Sequence, residues 1–471
     1  MRYALNFLLM LMLSVTQQVY AQSFYFGADL SYANEMQACG ATFKVAGAEQ
    51  DPYFIFKDHG CNLVRLRLWH TPSWYDQLNE GNRYSDFEDV RNSIIRAKNE
   101  GMEVLLDFHL SDTWADPGHQ VAPAAWTSVL DNLPVLQDSL YNYIYSTLSK
   151  LAQENLLPEI VQIGNETNRG ILLSQQTNDA GWSLDWPRNS ALFNSAIDAV
   201  RDIQTAYSTP IKIALHIANP NDVVWYYDQF WTHGVQDFDI MGISYYYDYH
   251  PVLIPAVGST ISYLKNHYPG KEVMILETAY QWTQSNADGA NNLLFDVYPG
   301  YAPSIEHQRD WMIALTQQVI NSGGSGVVYW EPDWVSTSCS TQWIQGSSWD
   351  NATFFDFDHQ LQENGGIGWM SHPYDFTLSA QEPASISESI TFRYVDGGIR
   401  IDVVEDIHLS FPCLFKFYAV DGKMIQSQSF ATLEEMVTNQ ISLQGISNGI
   451  YSASLRDKRG ASVCGKICVM H

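Results

Sequence analysis

Basic residues are scarce in this chain, which has 25 Lys and Arg against 52 Asp and Glu and a formal net charge of −27 at pH 7. Such an acidic surface repels phosphate groups, so the sequence argues against nucleic acid and against anionic membranes as partners. A polyanionic substrate is disfavoured for the same reason, whereas a neutral polymer meets no repulsion. We expect most of the acidity to keep an exported protein soluble.

Cysteines are also few, with six in 471 residues. Their wide spacings do not form a zinc-binding pattern, and disulfides are the alternative if the chain is exported. We expect Cys39 to pair with Cys61, and Cys413 to pair with Cys464 or Cys468.

Long apolar runs are missing except near the N-terminus. There Arg2 precedes an apolar run from Leu5 to Val15 that is too short to span a bilayer, and Val19-Tyr20-Ala21 follows as a small-residue cleavage site. The pattern predicts a signal peptide over residues 1–21 and a protein that is secreted or held at the cell surface or in the periplasm. We expect no membrane span in the rest of the chain.

Hydrophobic residues, in contrast, make up 46% of the chain and suffice for a large core. Eight short apolar runs start near Phe24, Asn62, Glu103, Ile160, Ile211, Asp239, Glu272 and Gly326. Between them lie stretches with helical periodicity, including Phe87–Asn99, Leu133–Gln153 and Ser304–Ile320. Strands that alternate with helices pair in parallel, and eight such units favour a closed (β/α)₈ TIM barrel. The alternative, a doubly wound open sheet, is disfavoured because no glycine-rich phosphate loop follows the first run.

The pattern changes after the eighth unit. A polar stretch that contains Pro383 is followed by alternating runs such as Ile399–Val403, which are typical of strands in a small all-β module. We therefore predict a catalytic barrel over residues 22–375, a linker over 376–390 and a β-sandwich-like module over 391–471.

Two glutamates stand at the ends of predicted buried strands. Glu166 ends the fourth apolar run, after Ile163-Gly164-Asn165, and Glu277 ends the seventh. The carboxyl ends of all eight strands form one face, where active sites of such barrels lie. Two carboxyl groups that face each other there can divide the roles of acid and nucleophile in glycoside hydrolysis.

From Phe26 to about Asp358 the chain resembles the endo-β-1,4-galactanases of glycoside hydrolase family 53, which belong to the large clan of retaining barrel hydrolases. The stretches that carry the resemblance are Gly27–Ser31, Val64–Trp69, Asp107–Pro117, Gln162–Glu166, Gly242–Tyr246, Leu276–Tyr280 and Tyr329–Pro332. His109-Leu110-Ser111-Asp112-Thr113-Trp114-Ala115-Asp116-Pro117 is the most specific, because the wider clan does not share it. One departure is Tyr247, which stands where galactanases tend to have Pro after two tyrosines.

The resemblance implies a neutral galactan substrate, cleaved within the chain, and no cofactor for the chemistry. Glu166 would be the general acid/base and Glu277 the nucleophile, and Asn165 would hold the sugar 2-hydroxyl. An arginine of the second strand would keep Glu277 ionised. We favour Arg67, which lies nearer the strand's end, with Arg65 as the alternative. We expect the enzyme to be a monomer.

Further substrate-binding residues follow from the same resemblance: His109, Asp112, Trp114, Tyr245, Tyr246 and Trp330. Tyr245 or Tyr246 would donate a hydrogen bond to the nucleophile, and Trp330 would form the floor under the sugar at the cleavage point. The other three would shape the neighbouring sugar sites. Two alternatives stay open, a related barrel enzyme acting on mannan or cellulose and a glycan-binding protein that has lost catalysis.

Some bacterial galactanases that the chain resembles hold a calcium ion beside the loop after the seventh strand. The residues that could bind a structural Ca²⁺ here are Asn286, Asp288, Asn292, Ser347 and Asp350. The first three are separated by even numbers of residues, so their side-chain oxygens could surround a hard cation. Ala290 stands where a further ligand is expected, and an Asn/Asp-rich turn is the alternative interpretation.

Overall fold

The chain divides into two compact units, Met1–Tyr374 and Asp375–His471. The structure is a computed structural model that describes residues 24–174, 184–376, 390–395, 398–403, 411–418, 424–443, 446, 449–456 and 462–469. The predicted signal peptide lies outside these residues, as does nearly all of the predicted linker, so both stay predictions. Within the described part of the chain, no helix has the length and apolar character needed to cross a membrane.

Eight parallel strands close into a barrel, so the predicted fold class is confirmed. The strands are β1 Tyr25–Asp29, β2 Leu63–Leu68, β3 Glu103–Phe108, β4 Ile160–Ile163, β5 Lys212–Ala218, β6 Ile240–Ser244, β7 Glu272–Glu277 and β8 Gly326–Tyr329. Each strand pairs with its neighbours in sequence, and β8 closes the ring against β1.

Helices connect successive strands in the first unit. They are α1 Ala33–Ala38, α2 Pro52–Asp58, α3 Phe87–Asn99, α4 Leu133–Gln153, α5 Trp186–Tyr207, α6 Val223–Thr232, α7 Ile254–His267 and α8 Ile305–Asn321. Short 3₁₀ turns occupy Ser73–Gln77, Asn79–Gly81, Ala124–Val129, Thr167–Arg169 and Gly366–Trp369, and Lys44–Val45 forms a hairpin with Ala48–Glu49.

The predicted bounds of α3 and α4 are confirmed, and local chemistry explains why these helices begin where they do. The side chain of Asp86 accepts a hydrogen bond from the backbone N–H of Asp89, which would otherwise lack a partner in the first turn. Ser304 caps α8 in the same way through the N–H of His307.

The inner face of the barrel changes from apolar to polar along each strand. At the N-terminal end, the residues Tyr25, Leu63, Leu105, Ile160, Ala214, Ile240, Met274, Leu276 and Val328 form an apolar plug. Because strand side chains alternate in direction, the next inward positions on β2 and β3 are Arg65 and Asp107. Both are fully buried, and together they begin the polar layer below the barrel mouth.

The second unit contains two antiparallel sheets. Its strands are β9 Ile390–Val395, β10 Gly398–Val403, β11 Cys413–Tyr418, β12 Met424–Phe430, β13 Ile441–Ser442, β14 Gly449–Arg456 and β15 Ser462–Val469. The sheet orders are β9-β10-β13 and β12-β11-β14-β15. Ile399 and Ile401 of one sheet share an apolar cluster with Phe415 and Phe417 of the other. The predicted small β module is thus present, with one unpredicted helix, α9 Leu433–Thr438.

The expected pairing of Cys39 with Cys61 is wrong, because Cys39 forms a disulfide with Cys339, 300 residues away in sequence. Cys39 follows α1 and Cys339 follows β8, and the closure of β8 against β1 brings these two segments together. Cys61 instead is buried, with its thiol directed at the carbonyl of Leu63. The side chains of Cys464 and Cys468 lie outside the described residues, so the pairing expected for Cys413 stays a prediction.

Candidate active site

A cleft of about 450 Å³ opens at the C-terminal ends of the barrel strands, and both glutamates line it. Five tryptophans contribute to its walls, namely Trp114, Trp330, Trp334, Trp343 and Trp349. Their faces and the buried carboxyl groups suit a ligand with apolar and hydroxyl-bearing surfaces, as a neutral sugar has.

Arg65 stands at the centre of the polar layer and contacts three carboxylates. Its guanidinium lies 2.7 Å from Asp29, 2.9 Å from Asp107 and 2.9 Å from Glu277. It also donates to the side-chain oxygen of Asn165 at 2.7 Å. The guanidinium fork therefore fixes the positions of Glu277 and Asn165 relative to each other.

Our preference for Arg67 as the partner of Glu277 is wrong. Arg67 lies two residues farther along β2, donates to Glu331 at 3.1 Å, and has its guanidinium 4.8 Å from the Tyr32 ring centre and 4.5 Å from that of Trp69. A step of two residues carries a side chain about 6.6 Å along a strand, which is enough to pass Glu277 and reach the segment after β8. Arg67 still lines the cleft.

Glu277 is held by a second donor from the neighbouring strand. The Tyr246 hydroxyl donates to Glu277 Oε2 at 3.0 Å, whereas the Tyr245 hydroxyl donates to the carbonyl of Val252 outside the cleft. Of the two tyrosines considered, the structure therefore brings the hydroxyl of Tyr246 to the Glu277 carboxylate. Burial raises the pKa of Glu277 to about 7, and the positive charge of Arg65 and the Tyr246 hydrogen bond act in the opposite direction.

Glu166 occupies a bend just after β4, where its own φ is 45°. Burial raises its pKa well above the ordinary value, and the charge of Glu277 raises that pKa further, while a side-chain hydrogen bond with Ser244 lowers it. Arg65 contacts Glu277 directly, which favours the ionised form of Glu277. A negative charge on Glu277 in turn raises the pKa of Glu166, so the geometry suits one carboxylate and one carboxylic acid in the same cleft.

Three more of the proposed binding residues, His109, Trp114 and Trp330, line the cleft. His109 Nδ1 lies 2.7 Å from Asp107, and burial lowers the pKa of its imidazole, which favours the neutral form. The prediction that Asp112 binds substrate is wrong, because Asp112 is not among the residues that line the cleft. Its carboxylate instead accepts the backbone N–H groups of Thr71 and Ala124, both at 2.8 Å, and so joins two loops.

The sequence analysis missed several cleft residues. Trp334, Trp343 and Trp349 come from the long segment after β8, and Tyr249 comes from the loop after β6. Trp343 is the most exposed of these, at 70%. The one signal in the sequence is the Ser347–Asp350 segment, which contains Trp349 and from which Ser347 and Asp350 are predicted as calcium ligands.

The five proposed calcium ligands come close together in the loops after β7 and β8. Asp288 accepts the N–H groups of Ala290 at 2.7 Å and of Ser347 at 2.8 Å, and the Asn286 amide donates to the carbonyl of Ala290. Among the described residues, no group of three or more His, Cys, Asp or Glu could hold a metal ion.

Two oxygen atoms in this loop cluster nevertheless fit a hard cation. Asp350 Oδ1 and Asn292 Oδ1 are buried and accept no hydrogen bond of ordinary geometry from the described residues, whereas the other Asp350 oxygen accepts from Ala287 and Ser336. The Asn292 side chain lies near the Asp350 carboxyl group and lowers its pKa, against the larger effect of burial. A buried carboxylate oxygen without a partner is costly, and a bound Ca²⁺ would relieve that cost.

Comparison with known proteins identifies the first unit. Residues 25–364 match the family described as Glycosyl hydrolase family 53. An arabinogalactan endo-β-1,4-galactanase of Cellvibrio japonicus is 45% identical over 360 residues, which are 76% of this chain and 93% of that protein. An endo-β-1,4-galactanase of Bacillus subtilis is 33% identical, over 74% and 76% of the two chains. The solved catalytic domain of family 53 from Ignisphaera aggregans matches with a TM-score of 0.67 and 30% identity, over 76% of this chain and 98% of that one.

Proposed function

The chain belongs to glycosyl hydrolase family 53, and we propose that it is an endo-β-1,4-galactanase that retains the anomeric configuration. The names of its relatives from Cellvibrio and Bacillus support the substrate, β-1,4-galactan of the kind found in pectic arabinogalactan. The observation that carries the mechanism is the pairing of Glu277 with Arg65 at 2.9 Å, whereas Glu166 forms no such ion pair with any of the described residues.

In the first step Glu277 attacks the anomeric carbon while Glu166 gives its proton to the oxygen of the leaving sugar. A covalent glycosyl–enzyme forms, and the glycosidic bond breaks. In the second step Glu166, now a carboxylate, removes a proton from water, which attacks the same carbon and releases Glu277. Asn165, oriented by Arg65 at 2.7 Å, holds the 2-hydroxyl, where a contact strengthens in the oxocarbenium-like transition state.

The function is tested by digesting purified galactan, mannan and cellulose with the enzyme and sizing the products over time. An endo-galactanase shortens galactan quickly and gives a range of oligosaccharides at early times. Faster cleavage of mannan or cellulose would contradict the proposed substrate. Binding of galactan without release of reducing ends would indicate a glycan-binding protein instead.

We propose that the enzyme is exported and works as a monomer. Export is supported by the basic, apolar and small residues in sequence order over residues 1–21. The Cys39–Cys339 disulfide supports it too, because disulfides persist in oxidising compartments. N-terminal sequencing of the mature protein from culture medium tests export, since an intact Met1 would contradict cleavage. Light scattering tests whether the enzyme is a monomer in solution.

We also propose that Asp350 and Asn292 bind a structural Ca²⁺, with Asp288, Asn286 and Ser347 nearby. The two buried oxygens that accept no hydrogen bond of ordinary geometry from the described residues support this. The cation would connect the loop after β7 to the segment after β8, and it takes no part in the chemistry. We expect no cofactor for catalysis.

A further inference from the structure

A second hollow, of about 400 Å³, lies beside the catalytic cleft and shares three lining residues with it. Pro117, Ala218 and His250 line both spaces and so form their common border. The remaining walls of the hollow are Asn168, Asn219, Asp222, Trp225 and Tyr226. A ligand long enough to leave the cleft on this side would therefore enter the hollow.

The position of the hollow indicates which part of a bound polysaccharide would reach it. Asn168 follows Glu166 by two residues, and Ala218 ends β5, the strand next to β4. Both glutamates line the cleft, and neither lines the hollow. The hollow residues Asn168 and Ala218 nevertheless belong to the segments beside Glu166, the acid that protonates the departing oxygen, so the sugar that departs on this side would extend toward the hollow.

The floor of the hollow is held in place before any ligand arrives. The Asn168 side chain accepts the Ala218 N–H at 2.9 Å and donates to the Ala218 carbonyl at 3.0 Å. Asn219 donates to one oxygen of Asp222 at 2.8 Å. A wall that is fixed in advance loses little conformational freedom when it binds, so more of the contact energy appears as affinity.

The chemistry of the walls suits a neutral sugar. Trp225, in the first turn of α6, is 50% exposed, and the Tyr226 ring at 4.8 Å and the Trp186 ring at 6.2 Å pack against it at steep angles. An indole fixed in this way offers a flat apolar surface, on which the C–H face of a pyranose can stack. Asp222 and Asn219 offer polar atoms to the hydroxyl groups at the edge of that ring.

We propose that this hollow binds a sugar of the leaving part of the polysaccharide, with Trp225 as the stacking surface and Asp222 as a hydroxyl-binding group. This rests on the proposed function, because it assigns the hollow to the same substrate that Glu166 and Glu277 cleave. Substrates that reach the hollow gain binding energy there, and short substrates do not.

The test compares Trp225→Ala with Trp231→Ala in the full chain. Trp231 lies on the same helix, is 41% exposed and does not line the hollow, so it is a matched control. Trp225→Ala should lower kcat/KM on long galactan about tenfold, the loss expected for one good aromatic contact. Its kcat/KM on an aryl β-galactobioside, whose leaving group ends before the hollow, should equal that of the wild type. Trp225→Phe should restore most of the activity on galactan.

An unchanged rate of Trp225→Ala on galactan would overturn the assignment while leaving the galactanase function intact. Equal losses in Trp225→Ala and Trp231→Ala, or equal losses on long and short substrates, would also overturn it. Failure of the wild type to cut galactan is a different outcome, which contradicts the proposed function. The same variants measured on the polysaccharide that it does cut would then decide whether the hollow binds the leaving part of that polymer.

Discussion

Arg65 faces Asp29, Asp107 and Glu277 in the barrel, and all four side chains are almost completely buried. One guanidinium here serves three carboxyl groups away from water, and burying such a cluster costs free energy of folding. Glu277 lies at the edge of the cluster, where the cleft begins. Arg65 thus holds the Glu277 carboxyl group in position at the cleft, as its proposed role as nucleophile requires.

Tyr246 and Tyr245 form a natural pair for testing how the charge on Glu277 is controlled. Catalysis needs ionised Glu277, so kcat/KM rises as the pH passes the pKa of Glu277 from below. Tyr246→Phe removes a hydrogen bond that lowers this pKa, and the rising limb of the pH profile should move to higher pH by about one pH unit. The Tyr245 hydroxyl donates to the carbonyl of Val252 and not to the Glu277 carboxylate, so Tyr245→Phe should leave the limb in place. A shift of equal size in both variants would contradict the proposed role of Tyr246.

Different roles for Glu166 and Glu277 predict different behaviour of their alanine variants. Glu277→Ala should be inactive on every substrate, because no covalent intermediate can form. Glu166→Ala should lose about 10²- to 10⁴-fold on galactan but much less on an aryl galactoside, whose leaving oxygen needs little protonation. Azide should rescue Glu166→Ala with a β-linked product and Glu277→Ala with an α-linked product. The wild type should first release the β anomer, as followed by proton NMR, and an α anomer would refute the assignment.

The elements of the barrel were predictable from sequence because each obeys a local rule. Buried strands give apolar runs, and the capped helices α3 and α4 give a clear period, so their bounds follow from neighbouring residues alone. The two glutamates could also be predicted from sequence, because the carboxyl end of each barrel strand lies at the same face of the fold. The predictions that were wrong concern residues that are far apart in sequence but close in the fold. Cys39 and Cys339 are an example, because only the closure of β8 on β1 brings them together.

The choice between Arg65 and Arg67 shows a second limit at the level of elements. Both point into the barrel, since they are two residues apart on β2, and the strand period cannot distinguish them. Their heights relative to β7 and to the segment after β8 decide the partners, and the register between distant strands sets those heights. The long segment after β8 supplied Trp334, Trp343 and Trp349 without any periodic pattern that sequence analysis could use.

The predicted calcium site lies in the loops after β7 and β8. If Asp350 and Asn292 bind Ca²⁺, a chelator should lower the melting temperature by a few degrees, and added Ca²⁺ should restore it. Asp350→Asn should abolish the response, whereas Asp356→Asn, at a half-buried turn position of the same segment, should keep it. Differential scanning calorimetry measures both effects. A melting temperature of the wild type that ignores both chelator and Ca²⁺ would end the proposal.

At the scale of the whole molecule, the family match and the second unit occupy different parts of the chain. The match covers residues 25–364, and the second unit begins at Asp375. The relative from Cellvibrio japonicus matches over 93% of its own length, and the Ignisphaera aggregans catalytic domain over 98%. Those proteins therefore consist almost entirely of the part that corresponds to the barrel, with little chain left for a second unit of this kind.

The second unit has its own apolar core, in which Ile399, Ile401, Phe415, Phe417 and Phe430 are fully buried. A unit with its own core can fold by itself, and so can the barrel that remains when it is removed. We therefore expect the second unit to be dispensable for the chemistry, and we propose as a separate hypothesis that it serves sorting or attachment.

To test whether the second unit is dispensable, the full chain is compared with a chain of residues 1–376. The shorter chain should melt cooperatively and should keep kcat/KM on soluble galactan and on an aryl galactoside within about twofold, because the cleft is built from residues of the first unit. Retention at the cell surface, followed by fractionation and immunoblotting, should fall if the second unit serves attachment. A shortened chain that folds but loses activity on the short soluble substrate would contradict independence, since that substrate requires only the cleft that contains Glu166 and Glu277.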